Sequence, residues 1–444
     1  MNVLKNLFLT RRFYLIFGAI VFLLAVSYAV SWLFPIAQTI LVLFFMTTIA
    51  DILILFLGQK NKFTISRTCP KVMSLSDTNK INIYVKNNTT QDFTFTLIDE
   101  LPFQFQKRDL EFLGKIKRES KVDLSYELRP ISRGTYSFGN INFFVHSIIG
   151  IAERRFEVEI QQDVPVFPSV VQMKQYSLYA LDNITQQEGI KKMRKIGHSY
   201  EFEQIKEYVR GDDYRAINWK ASSRRGDLMV NQFTDEKSQQ IYCIIDKSRN
   251  MRMPFNDLSL MDYAINTSLA MSNVAISKQD RAGLISFSDK IGSVIKADRQ
   301  ANQLHKILHA LYNEEDRKTE ANYEILYHIA QKIIKGRSLV MLFTNFESQY
   351  ALERVLPNLR QMNQSHLLVV VFFENTEIAD FANETATSVE GIYHQTVARK
   401  YLQEKRQMVN TLKQYGIQAV LSKPEDLSIN TINKYLEMKA RGLI

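Results

Sequence analysis

No feature constrains this chain more than a run of 38 residues without a charge, from Phe13 to Ala50. One membrane-crossing helix takes about 20 apolar residues. The run is therefore read as two spans, near 13–32 and 36–57, with Ser31-Trp32-Leu33-Phe34-Pro35 turning between them. A cleaved secretion signal does not fit, because the run is too long and a second span follows the first. Basic residues set the expected orientation. Lys5, Arg11 and Arg12 precede the first span, Lys60, Lys62 and Arg67 follow the second, and the turn has none. Both ends, and everything after Gly58, are thus expected in the cytoplasm, with the chain a multi-pass protein of the inner membrane. Asp51 falls inside the second span, where a carboxylate is costly. Its place near the cytoplasmic end suggests that it reaches water or a partner helix.

From Lys62 to Ser169 the texture changes. "INIYVKN", "FTFTLIDE" and "VDLSYELRP" alternate apolar and polar residues with period two. Asn87-Asn88, Arg133-Gly134 and Gly139-Asn140 supply turn chemistry between such runs. Short strands at this spacing predict an Ig-like antiparallel β-sandwich. No catalytic constellation stands out in it.

From about Gln240 strands alternate with helices. "IYCIID" is a continuous apolar run, as for a strand covered on both faces. A helix is predicted from Ser259 to Ser277, with Ser259 and Asp262 marking its start. A hairpin follows, then helices near 300–313 and 321–335, the strands "SLVMLFT" and "HLLVVVFF", a helix from Thr396 to Tyr415, the strand "IQAVLS", and a helix from Ser428. This order predicts a doubly wound α/β domain. The domains are drawn as 1–60 anchor, 61–170 sandwich, 171–238 charged connector and 239–444 α/β domain.

Ligands of such sheets bind at the carboxyl ends of strands. The first strand ends in Asp246, Ser248 and Asn250 at alternate positions, and a later one ends in Thr344 and Asn345. Converging hard oxygens of this kind are what Mg²⁺ takes. The alternative reading is that they bond the loop's own backbone.

At these residues the chain resembles the von Willebrand factor A domain, whose metal-ion-dependent adhesion site is built on D-x-S-x-S. Asp246 and Ser248 match. Asn250 replaces the second serine, Asn345 stands where the resemblance implies an aspartate, and no threonine near "KTEANYEIL" matches well. The site is therefore expected to be degenerate, binding Mg²⁺ weakly or not at all. Upstream, "VRGDDYRAINWKASSRRGDL" is similar to the hallmark of a bacterial family called domain of unknown function 58. The residues carrying the resemblance are Gly197, Tyr208, Arg210, Gly211, Asp212, Asp213, Arg215, Ile217, Trp219, Lys220 and Arg224, with "RGTYSFGNI" and "NKYLEMKARG" elsewhere. Members of that family are associated with MoxR-type AAA+ ATPases. The resemblance implies assembly, chaperone-like or stress-related work and no known reaction.

The formal charge is +10, and residues 191–225 carry ten Lys/Arg against five Asp/Glu. A phosphate-tracking surface is more one-sided. Nucleic acid is therefore not the expected partner, and Lys191, Lys192, Arg194 and Lys195 are matched to anionic lipid. The P-loop, H-E-x-x-H and G-x-S-x-G motifs are all missing. The two cysteines, Cys69 and Cys243, form no metal or redox motif. An enzyme is not expected. The reading is a membrane-anchored interaction module. A metal-dependent hydrolase, or a nucleic-acid or anionic-lipid binder through 191–225, is the alternative, and a homo-oligomer through the spans is left open. Arg210, Asp212, Asp213, Arg215, Trp219, Lys220 and Arg224 are the candidate connector and interaction residues. Tyr214, Ile217 and Trp219 are expected to pack onto the α/β domain.

Overall fold

A computed structural model describes residues 4–56, 62–107, 110–147, 149–175, 201–210, 212–234, 238–384 and 388–443. The chain forms two compact units, Met1–Phe167 and Pro168–Ile444. Apolar helices and sandwich thus belong to one unit, and the connector belongs with the α/β domain.

In the first unit, helices Arg11–Ser27 and Phe34–Phe56 are joined through a short turn of helix, Ser31–Leu33. Phe34–Phe56 is the one described helix long and apolar enough to cross a membrane. The first helix, at 17 residues, is shorter than the span expected at 13–32. The two helices pack on each other through Phe13, Phe17, Leu24, Leu41 and Phe44. Their other faces leave Leu15, Phe22, Leu43, Met46 and Ile49 exposed.

The sandwich consists of a five-stranded sheet facing two three-stranded ones. Phe63 on one side meets Phe93, Phe143 and Phe156 on the other, with ring centroids 5.1–5.6 Å apart. Arg67, counted from sequence among the basic residues that follow the second span, is withdrawn from solvent. It is buried in the sandwich, paired with Asp99, whose second oxygen accepts the Tyr126 hydroxyl.

Asp51 is fully buried and meets neither water nor the other helix. Its carboxylate accepts the hydroxyl of Ser147 and the backbone N–H groups of Ile151 and Ala152, the latter two at 2.9 and 2.8 Å. Next to it, Lys62 and Arg154 each donate to the carbonyl of Leu55 at 2.9 Å. Those cations complement the negative end of the helix dipole. The strand Leu7–Leu9 adds to the sheet edge at Ala152–Val158. Helix, loop and sheet are thereby fastened into one body.

The second unit holds a six-stranded sheet. In sheet order its strands are Ile291–Asp298, Arg281–Phe287, Gln240–Asp246, Leu339–Phe343, Leu367–Phe373 and Gln418–Ser422. All are parallel except the first, which runs antiparallel at the edge. Alternate residues of Gln240–Asp246 enter opposite cores. Ile241, Cys243 and Ile245 pack with helices Leu260–Ser277, Gln303–Tyr312 and Leu427–Ala440. Tyr242 and Ile244 pack with helices Tyr323–Ile333, Gln349–Ser365 and Val389–Gln414. A strand buried on both faces has no polar alternate, hence its continuous apolar run. Ser259 and Asp262 form the reciprocal cap at the start of the first helix.

Candidate functional site at the strand ends

Asp246 is the last residue of the central strand and is fully buried. One oxygen accepts the backbone N–H of Ser248 at 2.8 Å, and the other accepts the hydroxyl of Thr344 at 2.7 Å. Tyr323 adds a 2.7 Å contact from its hydroxyl to that of Thr344. Burial pushes the Asp246 carboxyl above its ordinary value, against the pull of these hydrogen bonds. Asn250 and Asn345 each donate a side-chain N–H to the other's backbone carbonyl at 3.4 Å, tying the two strand-end loops together. The four residues proposed from sequence therefore belong to one connected cluster.

Among the described residues two of its atoms lack a hydrogen-bond partner of good geometry, the side-chain oxygen of Asn250 and the hydroxyl oxygen of Ser248, which stays close enough to the Asp246 carboxylate to help hold it down. Ser248 is itself fully buried. Buried polar atoms are rarely left unpaired, and each such case calls for a ligand, water or functional role.

The surroundings are cationic. Lys405 is buried and donates to the side-chain oxygen of Asn345 at 2.8 Å and to the carbonyl of Phe346. Burial lowers its ammonium to about 8. Lys247 pairs with Glu314 at 2.6 Å, and Glu314 also accepts Ser286 at 2.6 Å and the N–H of Ser293 at 3.0 Å. Burial alone would raise the Glu314 carboxyl, but these donors outweigh it and hold it low. Gly292 permits this approach, since a Cβ there would lie 2.3 Å from the Ser286 hydroxyl and 2.5 Å from the Lys247 amine.

These donors fit Mg²⁺ poorly. The single carboxylate has both oxygens engaged, and Lys405 takes the amide oxygen of Asn345, where the resemblance implied a second acid. Thr319 lies beside the site, accepting the N–H of Arg249 on its carbonyl at 3.0 Å, but its hydroxyl turns to Asp289 at 2.9 Å. Neutral hydrogen-bonding oxygens suit a polar partner group better than a hard dication.

The connector is a hairpin of Glu201–Glu207 and Met229–Thr234 with a short helix, Trp219–Arg225, between its strands. Its carboxylates serve the local backbone. Asp212 accepts Lys206 at 2.8 Å and the N–H of Val209 at 3.0 Å, and these bonds hold its carboxyl below the ordinary value. Asp213 accepts the N–H of Arg215 at 3.0 Å, and Asn218 caps the helix through Ala221 at 3.0 Å. The expected packing onto the α/β domain is corrected here: Tyr214 and Trp219 are 67% and 70% exposed. They stand among Arg210, Arg215, Lys220 and Arg224, all exposed. The order is set by caps rather than by aromatic anchoring. Lys191, Lys192, Arg194, Lys195, Gly197 and Gly211 lie outside the described residues.

Sequence reading missed Tyr323 and Lys405. Lys405 shares a helix face with buried Ala398, Met408 and Leu412, so its spacing carried the signal.

Comparison with known proteins gives a family match over part of the chain. Residues 204–381 match the family described as "Protein of unknown function DUF58". The uncharacterized protein YeaD of Bacillus subtilis is 26% identical over 128 residues. That match covers 28% of this chain and 31% of the relative, so the chain spans about a third of that protein. Among solved structures, the CARDB domain of a Pyrococcus furiosus protein is 16% identical, covering 23% of this chain and 91% of that one with a TM-score of 0.18. A human PapD-like domain is 15% identical, covering 24% and 87% with a TM-score of 0.19.

Proposed function

We propose that this chain is a membrane-anchored interaction module, its soluble parts facing the cytoplasm. It acts with an AAA+ ATPase of the MoxR type in assembly, chaperone-like or stress-related work. The doubly wound domain is read as von Willebrand factor A-like, and its strand ends as the place where a partner docks. The observation that carries this reading is the pair of unpartnered oxygens, Ser248 Oγ and Asn250 Oδ1, beside the fully engaged Asp246. Unpartnered buried polar atoms also occur at Ser268, Thr431 and Arg154, and the strand-end pair is set apart by sharing one loop at the carboxyl end of the central strand. The sheet order, with its antiparallel edge, is compatible with the A-like reading.

The membrane reading rests on the exposed apolar faces of the helical pair. Most of the apolar stretch of Phe34–Phe56 is left uncovered by the rest of the chain, which supports a bilayer rather than a soluble core around it. Both helices are read as entering the bilayer of the inner membrane. A reporter fused after residue 58 that is active only outside the cytoplasm would overturn the orientation. Magnesium is not required for partner binding in this reading, so binding persists in chelator.

A second reading has one observation in its favour. With Asp212 and Asp213 engaged locally, the connector presents Arg210, Arg215, Trp219, Lys220 and Arg224 outward. Arginine and aromatic side chains suit single-stranded nucleic acid or anionic lipid. Purification of the full chain from membranes discriminates the two. Enrichment of an AAA+ protein supports the module, and salt-sensitive retention of RNA or DNA without any such protein supports the alternative.

A further inference from the structure

The helix Val389–Gln414 is longer than the sheet beneath it requires. Lys405 marks where it meets the strand-end loop, through Phe346 and Asn345. The sixteen residues before Lys405 span about 24 Å at helical rise. Only Gln395 and Ala398 are buried among them. There the helix packs against the short helix Thr376–Asn383: Gln395 donates to the carbonyl of Phe381 at 3.4 Å and Arg399 to that of Ala382 at 3.2 Å. The two helices form a hairpin with a groove of about 490 Å³, lined by Ile378, Phe381, Val397, Ala398 and Tyr401 together with Glu377 and His394. Val389, Ile392, Tyr393 and Val397 follow helical spacing and are 86, 57, 68 and 50% exposed. Exposed apolar stripes of this kind mark docking surfaces.

Charge identifies the occupant. The chain as a whole is at +10, yet residues 374–401, which take in both arms of the groove, contain Glu374, Glu377, Asp380, Glu384 and Glu390 against Arg399 and Lys400. Among the described residues none of these five carboxylates is paired with a lysine or arginine, and Glu390 has the groove-lining His394 beside it at 3.7 Å. An acidic rim repels phosphate and anionic lipid. An isologous contact between two copies would set five carboxylates against five.

We infer that this hairpin is the docking groove for a basic amphipathic helix of a partner protein, its apolar face in the groove and its Lys or Arg residues over the acidic rim. This rests on the interaction-module reading and gives the partner's contact segment a chemistry. It reuses the general mode of helix-in-groove recognition.

The test uses the full chain in phosphatidylcholine nanodiscs and a fluorescein-labelled 14-residue helix of Leu and Lys. The same helix with Glu for Lys is the counter-probe, and empty discs give the background. The Leu/Lys helix is expected to bind at least tenfold more tightly than the Leu/Glu helix at physiological salt. Phe381→Ser with Val397→Ser, and separately Glu377→Lys with Asp380→Lys, are expected to weaken it at least tenfold without moving the melting temperature. Equal affinity for both helices, no binding above empty discs, or binding untouched by both double variants overturns the groove. So does concentration-dependent self-association lost in Phe381→Ser with Val397→Ser, which would make a second copy the occupant. Peptide binding without any protein partner from membranes would keep the groove and sink the module. A partner enriched equally by the wild type and the Glu377→Lys with Asp380→Lys variant would keep the module and sink the groove.

Discussion

Asp51 and Asp246 are both fully buried carboxylates, one in the last two turns of an apolar helix and the other at the end of an apolar strand. They differ in what surrounds them. Asp51 takes one hydroxyl and two backbone N–H groups from the loop 147–152, and although Arg154 Nε beside it has no hydrogen-bond partner among the described residues, that guanidinium is covered by the Phe56 and Phe156 rings. Asp246 is likewise engaged by Ser248 and Thr344, but two side chains of its own loop, Ser248 and Asn250, keep oxygens without a hydrogen-bond partner of good geometry among the described residues. The first arrangement is closed and joins an apolar helix to a sandwich. The second is open on one side and suits a ligand. A buried carboxylate is therefore not itself the mark of a site; the open valences beside it are.

Four substitutions probe this difference. Asp51→Ala should have the largest effect. It strands two backbone N–H groups and a hydroxyl, at about 4 kcal/mol in total. Limited proteolysis of the full chain in nanodiscs should show early cleavage between helix and sandwich; unchanged resistance would mean that the junction is held otherwise. Asp246→Ala strands one N–H and leaves Thr344 with Tyr323, so about 2 kcal/mol is expected from denaturant unfolding. A loss as large as that of Asp51→Ala would erase the contrast.

Lys405 gives a pH signature. Its folded-state value is lowered to about 8 from 10.5, with burial the larger cause. Between those values the unfolded chain still holds a proton that the folded chain has released. Its contribution to stability thus rises with pH from about 8, by at most about 1.4 kcal/mol per pH unit, and is flat below. Lys405→Met should abolish this rise when denaturant midpoints at pH 7.5 and pH 9 are compared. A rise of the same size in both proteins would assign it to another group. Trp219→Ala should have the smallest effect on stability, within about 0.5 kcal/mol, because the side chain is largely in solvent. Its expected consequence is weaker partner retention, and a drop of several degrees in melting temperature would show that the ring is structural.

Periodicity made the larger architecture legible. The alternating sandwich strands and the continuous run 241–246 each encode how many faces they bury. The start of the helix at Leu260 was legible because Ser259 and Asp262 form a local cap. The helix Gln349–Ser365 was not, because Pro357 lies inside it and reads as a breaker. The helix expected from Thr396 begins at Val389, since its first turns are exposed and carry little apolar periodicity. Asp246, Ser248, Asn250 and Asn345 were legible as strand-end oxygens. Their open valences were not, because satisfaction depends on Thr344, Tyr323 and Lys405, which come from other elements. The role of Asp51 was hidden for the same reason: its partners lie 96 to 101 residues away.

The most direct test is the variant Ser248→Ala, which leaves the Asn250–Asn345 tie in place, carried through one paired measurement. The full chain is purified from membranes, its melting temperature is recorded, and the enrichment of AAA+ protein is quantified against the wild type. Because the Ser248 hydroxyl has no hydrogen-bond partner of good geometry among the described residues, removing it should leave the melting temperature within about 1 °C while partner enrichment falls at least tenfold. A melting temperature lowered by several degrees with the partner retained would contradict it, making the strand-end cluster a closed structural element like the one at Asp51.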